Sequence, residues 1–232
     1  MSNWDWITPN TNIYCINLIH RVDRFNEVVE EFKKIKILDK IKFYQPKKDT
    51  SGIKHKGCFD SHIFCMIHAY NQKKNALIFE DDVEFLSTFN EAIIKHSYLY
   101  TDWNMLRIGY KPFRFNKRIN YHVYNSDYVH NMTAYIVSYK YMDLIFNKDK
   151  PENCTVIDLC LTEITNKDYC ITPLMAIQRN SKSDNPWNDF VGWQNIVQHP
   201  IINKQYQKFT YQYSLIKFHL FEKFNKLFIK RQ

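Results

Sequence analysis

The chain is predicted to fold as an α/β domain, with a mostly parallel central sheet and helices on both faces. Three observations predict it. Short apolar runs of strand length alternate with stretches of helical period. One run, Ala76-Leu77-Ile78-Phe79, stops abruptly at three consecutive carboxylates, Glu80-Asp81-Asp82. Hydrophobic residues are 45% and aromatics 16% of 232 residues, which argues against disorder and allows one sizeable core.

The elements follow in order. Ile13 to Leu18 reads as a strand. Asp23 can cap a helix running to about Lys36, because Phe25, Val28, Val29, Phe32 and Ile35 recur at helical spacing. Ile41 to Tyr44 is a second short strand, and Lys47 to Lys56 is a polar loop. Asp60 to Gln72 reads as a helix with Ile63, Met66, Ile67 and Tyr70 on one face. Leu77 to Phe79 is the strand that ends in carboxylates. Ser87 or Thr88 opens another helix carrying Phe89, Ala92, Ile93 and His96. Met105 to Ile108 is strand-like, and Lys111 to Asp127 forms a hairpin or an acceptor loop. Thr133 to Val137 is a strand and Lys140 to Phe146 a helix. Pro151-Glu152-Asn153 breaks the chain before Val156 to Ile164.

The acidic strand end carries the chemistry. Ligands of α/β sheets bind at the carboxyl ends of strands. Three adjacent carboxylates repel unless something neutralises them, and hard oxygen ligands suit Mg²⁺ or Mn²⁺, which bind phosphate oxygens in turn. In extended backbone Glu80 and Asp82 point to one face and Asp81 to the other, so two carboxylates could share one ion. A solvated acidic turn is the competing reading.

Other motifs surround this one. The chain carries "YCINLIHRVDR" at Tyr14 to Arg24, "GCFDSH" at Gly57 to His62 and "ALIFEDDVEF" at Ala76 to Phe85. In order and spacing these resemble the INLxxRxDR, GCxxSH and ALxxEDDV motifs of glycosyltransferase family 25. That family includes lipooligosaccharide and collagen hydroxylysine galactosyltransferases. Weaker echoes follow at Asn104 to Gly109, Thr133 to Ser138, Val156-Ile157-Asp158 and Gln178 to Asp184 ("QRNSKSD").

The resemblance implies a GT-A-like glycosyltransferase domain over 1–205. It implies metal-dependent transfer of a hexose, galactose or glucose, from a UDP-sugar to a hydroxyl acceptor, with inversion. Hydroxylysine in a protein and a surface oligosaccharide are both open as acceptors. Glu80, Asp81 and Asp82 stand in the place of the DxD motif. Asp82 is then the leading ligand of Mn²⁺ or Mg²⁺, with Asp81 or Glu80 as the second ligand or as a ribose contact. Asn17, Arg21 and Arg24 match the first-strand motif and would contact the nucleotide, since an arginine fork suits a diphosphate. For Asp23, Arg21 and Arg24 the local alternative is a helix cap and its ion pairs. Ser61 and His62 would bond the nucleotide, or cap and brace their helix. Asp158 is the candidate base for the acceptor hydroxyl and Glu163 the reserve, while Asp184 is a late metal or acceptor contact. A helix N-cap is the structural alternative for Asp158. A non-catalytic carbohydrate or nucleotide-sugar binding module is the rival function.

Charge and cysteines narrow the partners. The net charge is +8, with basic clusters at Lys33 to Lys56, Arg107 to Arg118 and Lys204 to Arg231. No nucleic-acid-binding signature accompanies them, and an acidic strand end is unsuited to a phosphate-backbone surface, so no nucleic-acid partner is expected. Six cysteines form no CxxC pair, which argues against a structural zinc site, and they read as reduced thiols. Asn131 and Asn153 open N-glycosylation sequons, relevant only in a secretory lumen. No apolar run reaches about 18 residues and Met1 to Asn12 is polar, so the expectation is a cytoplasmic protein with no membrane span or signal peptide. Residues 206–232 are basic, aromatic and helical in pattern. They would pack on the domain, lie on an anionic membrane surface, or form a dimer contact.

Overall fold

The computed structural model describes residues 4–53, 55–147, 157, 161, 167–179, 208 and 211–219, with 112–114, 126–128, 130 and 131 as backbone only. Asp158, Glu163, Asp184, Asn153 and most of 206–232 lie outside the described residues. The order is β1 (Thr11–Ile16), α1 (Val22–Lys34), β2 (Lys42–Tyr44), α2 (Lys56–Tyr70), β3 (Asn75–Glu80), β4 (Val83–Phe85) and α3 (Glu91–Tyr100). It continues with β5 (Met105–Arg118), β6 (Val123–Val137), α4 (Tyr139–Asn147), β7 (Asp168–Ile171) and β8 (Ala176–Gln178).

Among the described residues, eight strands form one mixed sheet. Its first half is parallel: β1 lies between β2 and β3, with Ile16 level with both Tyr44 and Glu80. That register brings three strand ends to one edge. β6 then joins β3 antiparallel, Ala76 opposite Val137. Sequence reading missed β4, β7 and β8, because strands of three or four residues are too short to show a period.

Helices cover both faces, and strict alternation along the strands explains why. Ile13, Cys15, Leu77, Phe79, Leu106, Ile108, Ala134 and Ile136 pack with Val28 and Phe32 of α1 and Ile94 of α3. Tyr14, Ala76, Ile78, Met105, Tyr135 and Val137 face the other way. There they meet Cys65, Met66 and Ala69 of α2 and Tyr141, Met142 and Ile145 of α4. A strand buried on both faces must be apolar where it is buried, and β3 is so from Ala76 to Phe79.

β5 and β6 form the long hairpin that the sequence left open as hairpin or acceptor loop. Its register slips repeatedly between Arg107 and Lys117. Such irregularities bend a ribbon, and the bend lets β7 pair with the start of β5 and with the start of β6. Gly109 sits where β8 meets β5. A Cβ there would lie 3.0 Å from the Ala176 Cβ and 3.3 Å from that of Ala134, so a side chain would wedge the strands apart.

Inside this half, Arg107 is fully buried and forks onto Asp168, with Nε and Nη2 donating at 3.0 and 2.7 Å to Oδ2. Residues 211–219 are helical and set Phe218 edge-on against Tyr124, ring centres 5.4 Å apart. The described cysteines Cys15, Cys58, Cys65 and Cys170 are free thiols. No described helix is long and apolar enough to cross a membrane.

Candidate functional site

The carboxyl ends of β2, β1 and β3 are tied together by side chains. The Asn17 backbone N–H donates to the Tyr44 carbonyl at 3.0 Å, carrying the ladder one residue past β1. Gln45 donates from Nε2 to Asn17 Oδ1 at 3.1 Å. Asn17 in turn donates from Nδ2 to Asp81 Oδ2 at 2.8 Å and to the Arg21 carbonyl at 3.2 Å. Asn17, expected as a nucleotide contact, stands beside the acidic turn with its side chain bracing it.

Arg24, in the first turn of α1, donates from Nη1 to Asp81 Oδ1 at 2.8 Å and lies 3.4 Å from Asp82 Oδ2. Both carboxylate oxygens of Asp81 therefore have protein donors. Burial raises the pKa of Asp81, and Arg24 and Asn17 oppose that shift. Asp81, expected as a metal ligand, is placed as the residue that anchors Arg24 and Asn17. Arg21 makes the local pair instead, its Nε and Nη2 donating to Asp23 at 2.9 and 2.8 Å. Asp23 is a helical residue and not the cap, because α1 begins at Val22.

Asp82 is different. Its carboxylate is buried, and Oδ2 accepts from Gln178 Nε2 at 3.1 Å. Its Oδ1 is buried with no hydrogen-bond partner. Burial, and then the neighbouring Glu80 charge, push its pKa up to about 7 against the pull of Arg24. An orphaned, desolvated carboxylate oxygen is costly. Asp81 and Asp82 lie in a turn and not in extended backbone, so the expected placing of Glu80 and Asp82 on one face by strand alternation does not apply. Asp82 Oδ1 could accept a hard cation, while the donor atoms that converge among the described residues are those of Cys58, His62 and Glu80.

Two residues that sequence reasoning gave no role close the far side. Gln178 ends β8, which pairs antiparallel with β4, Val83 opposite Gln178. Arg179 follows: its backbone N–H donates to the Asp82 carbonyl at 2.6 Å and its Nη2 to the Asp81 carbonyl at 3.0 Å. The same guanidinium pairs with Glu27 Oε2 at 3.1 Å. The signal was the "QRNSKSD" echo that begins at Gln178.

Ser61 and His62 lie further into α2 than expected, since the helix starts at Lys56 and not at Asp60. Ser61 returns its hydroxyl to the Gly57 carbonyl at 2.6 Å and contacts no part of the acidic turn in doing so. Gly57 is needed because a Cβ there would stand 2.8 Å from the Asp49 Cβ. His62 does reach the site: Nε2 lies 3.2 Å from Glu80 Oε1, and Nδ1 lies 2.8 Å from the Tyr135 hydroxyl. Burial opposes a charged His62, but Tyr135, Cys58 and Glu80 together hold its pKa above the ordinary histidine range. Cys58, also given no role at first, offers its sulfur to the same group.

The structure thus gathers Asn17, Arg24, His62, Glu80, Asp81 and Asp82 at one sheet edge. Arg21 and Ser61 are turned to local partners. No protein-family model matches the chain, and no curated protein matches its sequence. Among solved structures it is similar to the protein described as "A197 from STIV", with 8% identity and a TM-score of 0.47. That likeness covers 72% of this chain and 84% of the other.

Proposed function

We propose that the chain is a metal-dependent glycosyltransferase that moves a hexose, galactose or glucose, from a UDP-sugar to a hydroxyl acceptor. The single observation that carries this reading is Asp82. It is a buried carboxylate with one oxygen lacking a partner, at the carboxyl end of a β-strand, beside Glu80. The motif resemblance supplies the substrate class, and the GT-A-like fold is part of the same proposal.

Asp82 and Glu80 would hold Mn²⁺ or Mg²⁺, which when bound neutralises the diphosphate leaving group as a Lewis acid. Asp81 keeps Arg24 and Asn17 in place. The Arg24 guanidinium, already at the acidic turn, would supply fixed positive charge to a diphosphate. Arg179 holds the turn through its carbonyls. Asp158, outside the described residues, is assigned the acceptor-side base from the sequence alone.

A screen of UDP-sugars for Mn²⁺-dependent hydrolysis tests the reading without knowledge of the acceptor. Release of UDP from one hexose donor, abolished by a chelator and restored by Mn²⁺, is the expected result. No release from any UDP-sugar, combined with metal-free binding of those sugars, would favour the non-catalytic binding module.

A further inference from the structure

Three potential metal ligands of another kind stand on the α2 side of the acidic turn. Cys58 and His62 are one helical turn apart on α2, so both project toward the same strand end. Glu80 ends β3 opposite them. One donor atom from each, a thiol sulfur, an imidazole nitrogen and a carboxylate oxygen, lie within 4.8 Å of one another. The His62 Nε2 to Glu80 Oε1 distance is 3.2 Å. Zn–N and Zn–O bonds near 2.0–2.1 Å make the edge of a tetrahedral site about 3.3 Å. The two donors are therefore already at the separation that a shared tetrahedral ion demands.

The second shell is also built. His62 is buried, and its other ring nitrogen meets the Tyr135 hydroxyl at 2.8 Å. That contact fixes the ring and leaves Nε2 to face Glu80, the arrangement by which proteins orient a metal-binding histidine. Tyr135 is itself buried in the core of β6 and cannot swing away. Cys58 and Glu80 are only half-buried, which leaves a path for an ion.

We propose that Cys58, His62 and Glu80 form a three-ligand site for a borderline-soft divalent cation, Zn²⁺ above all. It shares Glu80 with the hard-cation position proposed at Asp82 and differs from it in its thiol and imidazole donors. Thiolate and imidazole donors select Zn²⁺ over Mn²⁺ or Mg²⁺. Three protein ligands leave a fourth position for water or an exogenous group. Binding forms a Zn–S bond and releases the Cys58 thiol proton to solvent, so affinity rises with pH. With Glu80 assigned to both positions, occupancy of one bears on occupancy of the other.

Chelator-stripped full-length protein, titrated with Co²⁺ and followed by optical absorption, tests the site. One Co²⁺ per chain should produce a thiolate-to-cobalt charge-transfer band, and one equivalent of Zn²⁺ should bleach it. Cys58→Ser should abolish the band. His62→Gln and Glu80→Gln should each weaken Zn²⁺ binding at least about 10-fold, and Tyr135→Phe should weaken it by about 10-fold through the lost second-shell contact. Asp82→Asn should keep the band. No thiolate band in the wild type, or an unchanged band in Cys58→Ser, would overturn the proposal. Should Cys58→Ser lose its fold by circular dichroism, unchanged Zn²⁺ affinity in Glu80→Gln and Tyr135→Phe has the same force. An intact band in protein that hydrolyses no UDP-sugar would defeat the glycosyltransferase reading and leave this site standing.

Discussion

Arg24 Nη1 donates to Asp81 at 2.8 Å and stands 3.4 Å from Asp82, so one guanidinium serves two adjacent buried carboxylates. Both partners are nearly dry, and removing Arg24 takes the cation from both carboxylates at once. Arg24→Met should therefore destabilise the fold by about 3 kcal/mol, the usual cost of orphaning a buried charge. Arg24→Met combined with Asp81→Asn should recover part of that loss. Chemical denaturation of the four proteins forms the double-mutant cycle, and strict additivity would contradict the coupling.

Asp82 gives a pH dependence with a definite sign. Its folded pKa is raised to about 7 from the ordinary 3.8. A raised carboxylate pKa means that the folded state holds the proton more tightly. The stabilisation is complete below about pH 4 and is lost as pH rises through about 7. The contribution is at most about 4 kcal/mol at 1.36 kcal/mol per unit. In EDTA, Asp82→Asn should flatten the fall in stability between pH 4 and 8 and should raise the Tm near pH 8. The same substitution should remove most Mn²⁺-dependent turnover. Near-wild-type turnover would end the assignment of Asp82 as ligand.

UDP should raise the Tm only when Mn²⁺ or Mg²⁺ is present. A ligand of the folded state stabilises it by mass action, and the Glu80 and Asp82 charges oppose a bare diphosphate. Calorimetry showing equal UDP affinity with and without metal would contradict this. Equal stabilisation by single-stranded DNA would point to the basic surface instead.

Arg107 and Asp168 make a second buried ion pair, between β5 and β7. Asp168→Ala leaves Arg107 buried against Met132 with its main partner gone. A loss of about 3–5 kcal/mol is expected. Arg107→Met with Asp168→Leu should regain much of it, since an apolar pair can replace a buried ion pair. Urea unfolding distinguishes the two outcomes.

The elements legible in the sequence are those where one residue type repeats at a period. Val28 and Phe32 announced the face of α1, and Leu77 to Phe79 announced the central strand. For α3 the sequence pointed to Ala92 and Ile93, while the structure buries Ile94 and Ser97. Boundaries were less legible. Asn90 caps α3, accepting from the Ala92 and Ile93 backbone at 3.0 and 3.4 Å, where Ser87 or Thr88 had been expected. Thr88 instead donates its hydroxyl to the Leu174 carbonyl, a contact 86 residues away that no local pattern encodes. The mixed character of the sheet was hidden for the same reason. A strand's direction depends on the pairing partner, and β6 reaches β3 only after the hairpin turns back. At the site, residue types marked the acidic turn, but which carboxylate is satisfied depends on Arg24 and Gln178 arriving from opposite ends of the chain.

That last arrival has a kinetic consequence. Gln178 and Arg179 reach Asp82 and Asp81 across separations of 96 and 98 residues. Closing a loop of that length costs about 4 kcal/mol of chain entropy, against a few hydrogen bonds of about 1 kcal/mol each. The parallel unit β2-β1-β3 closes shorter loops, Asn12 pairing with Ala76 and Tyr14 with Lys42, and is expected to assemble earlier. On that order Asp82 would stay hydrated until β8 docks on β4. The energetic penalty of the buried acid falls on a late folding step, and a cation supplied during refolding should hasten that step more than any earlier one.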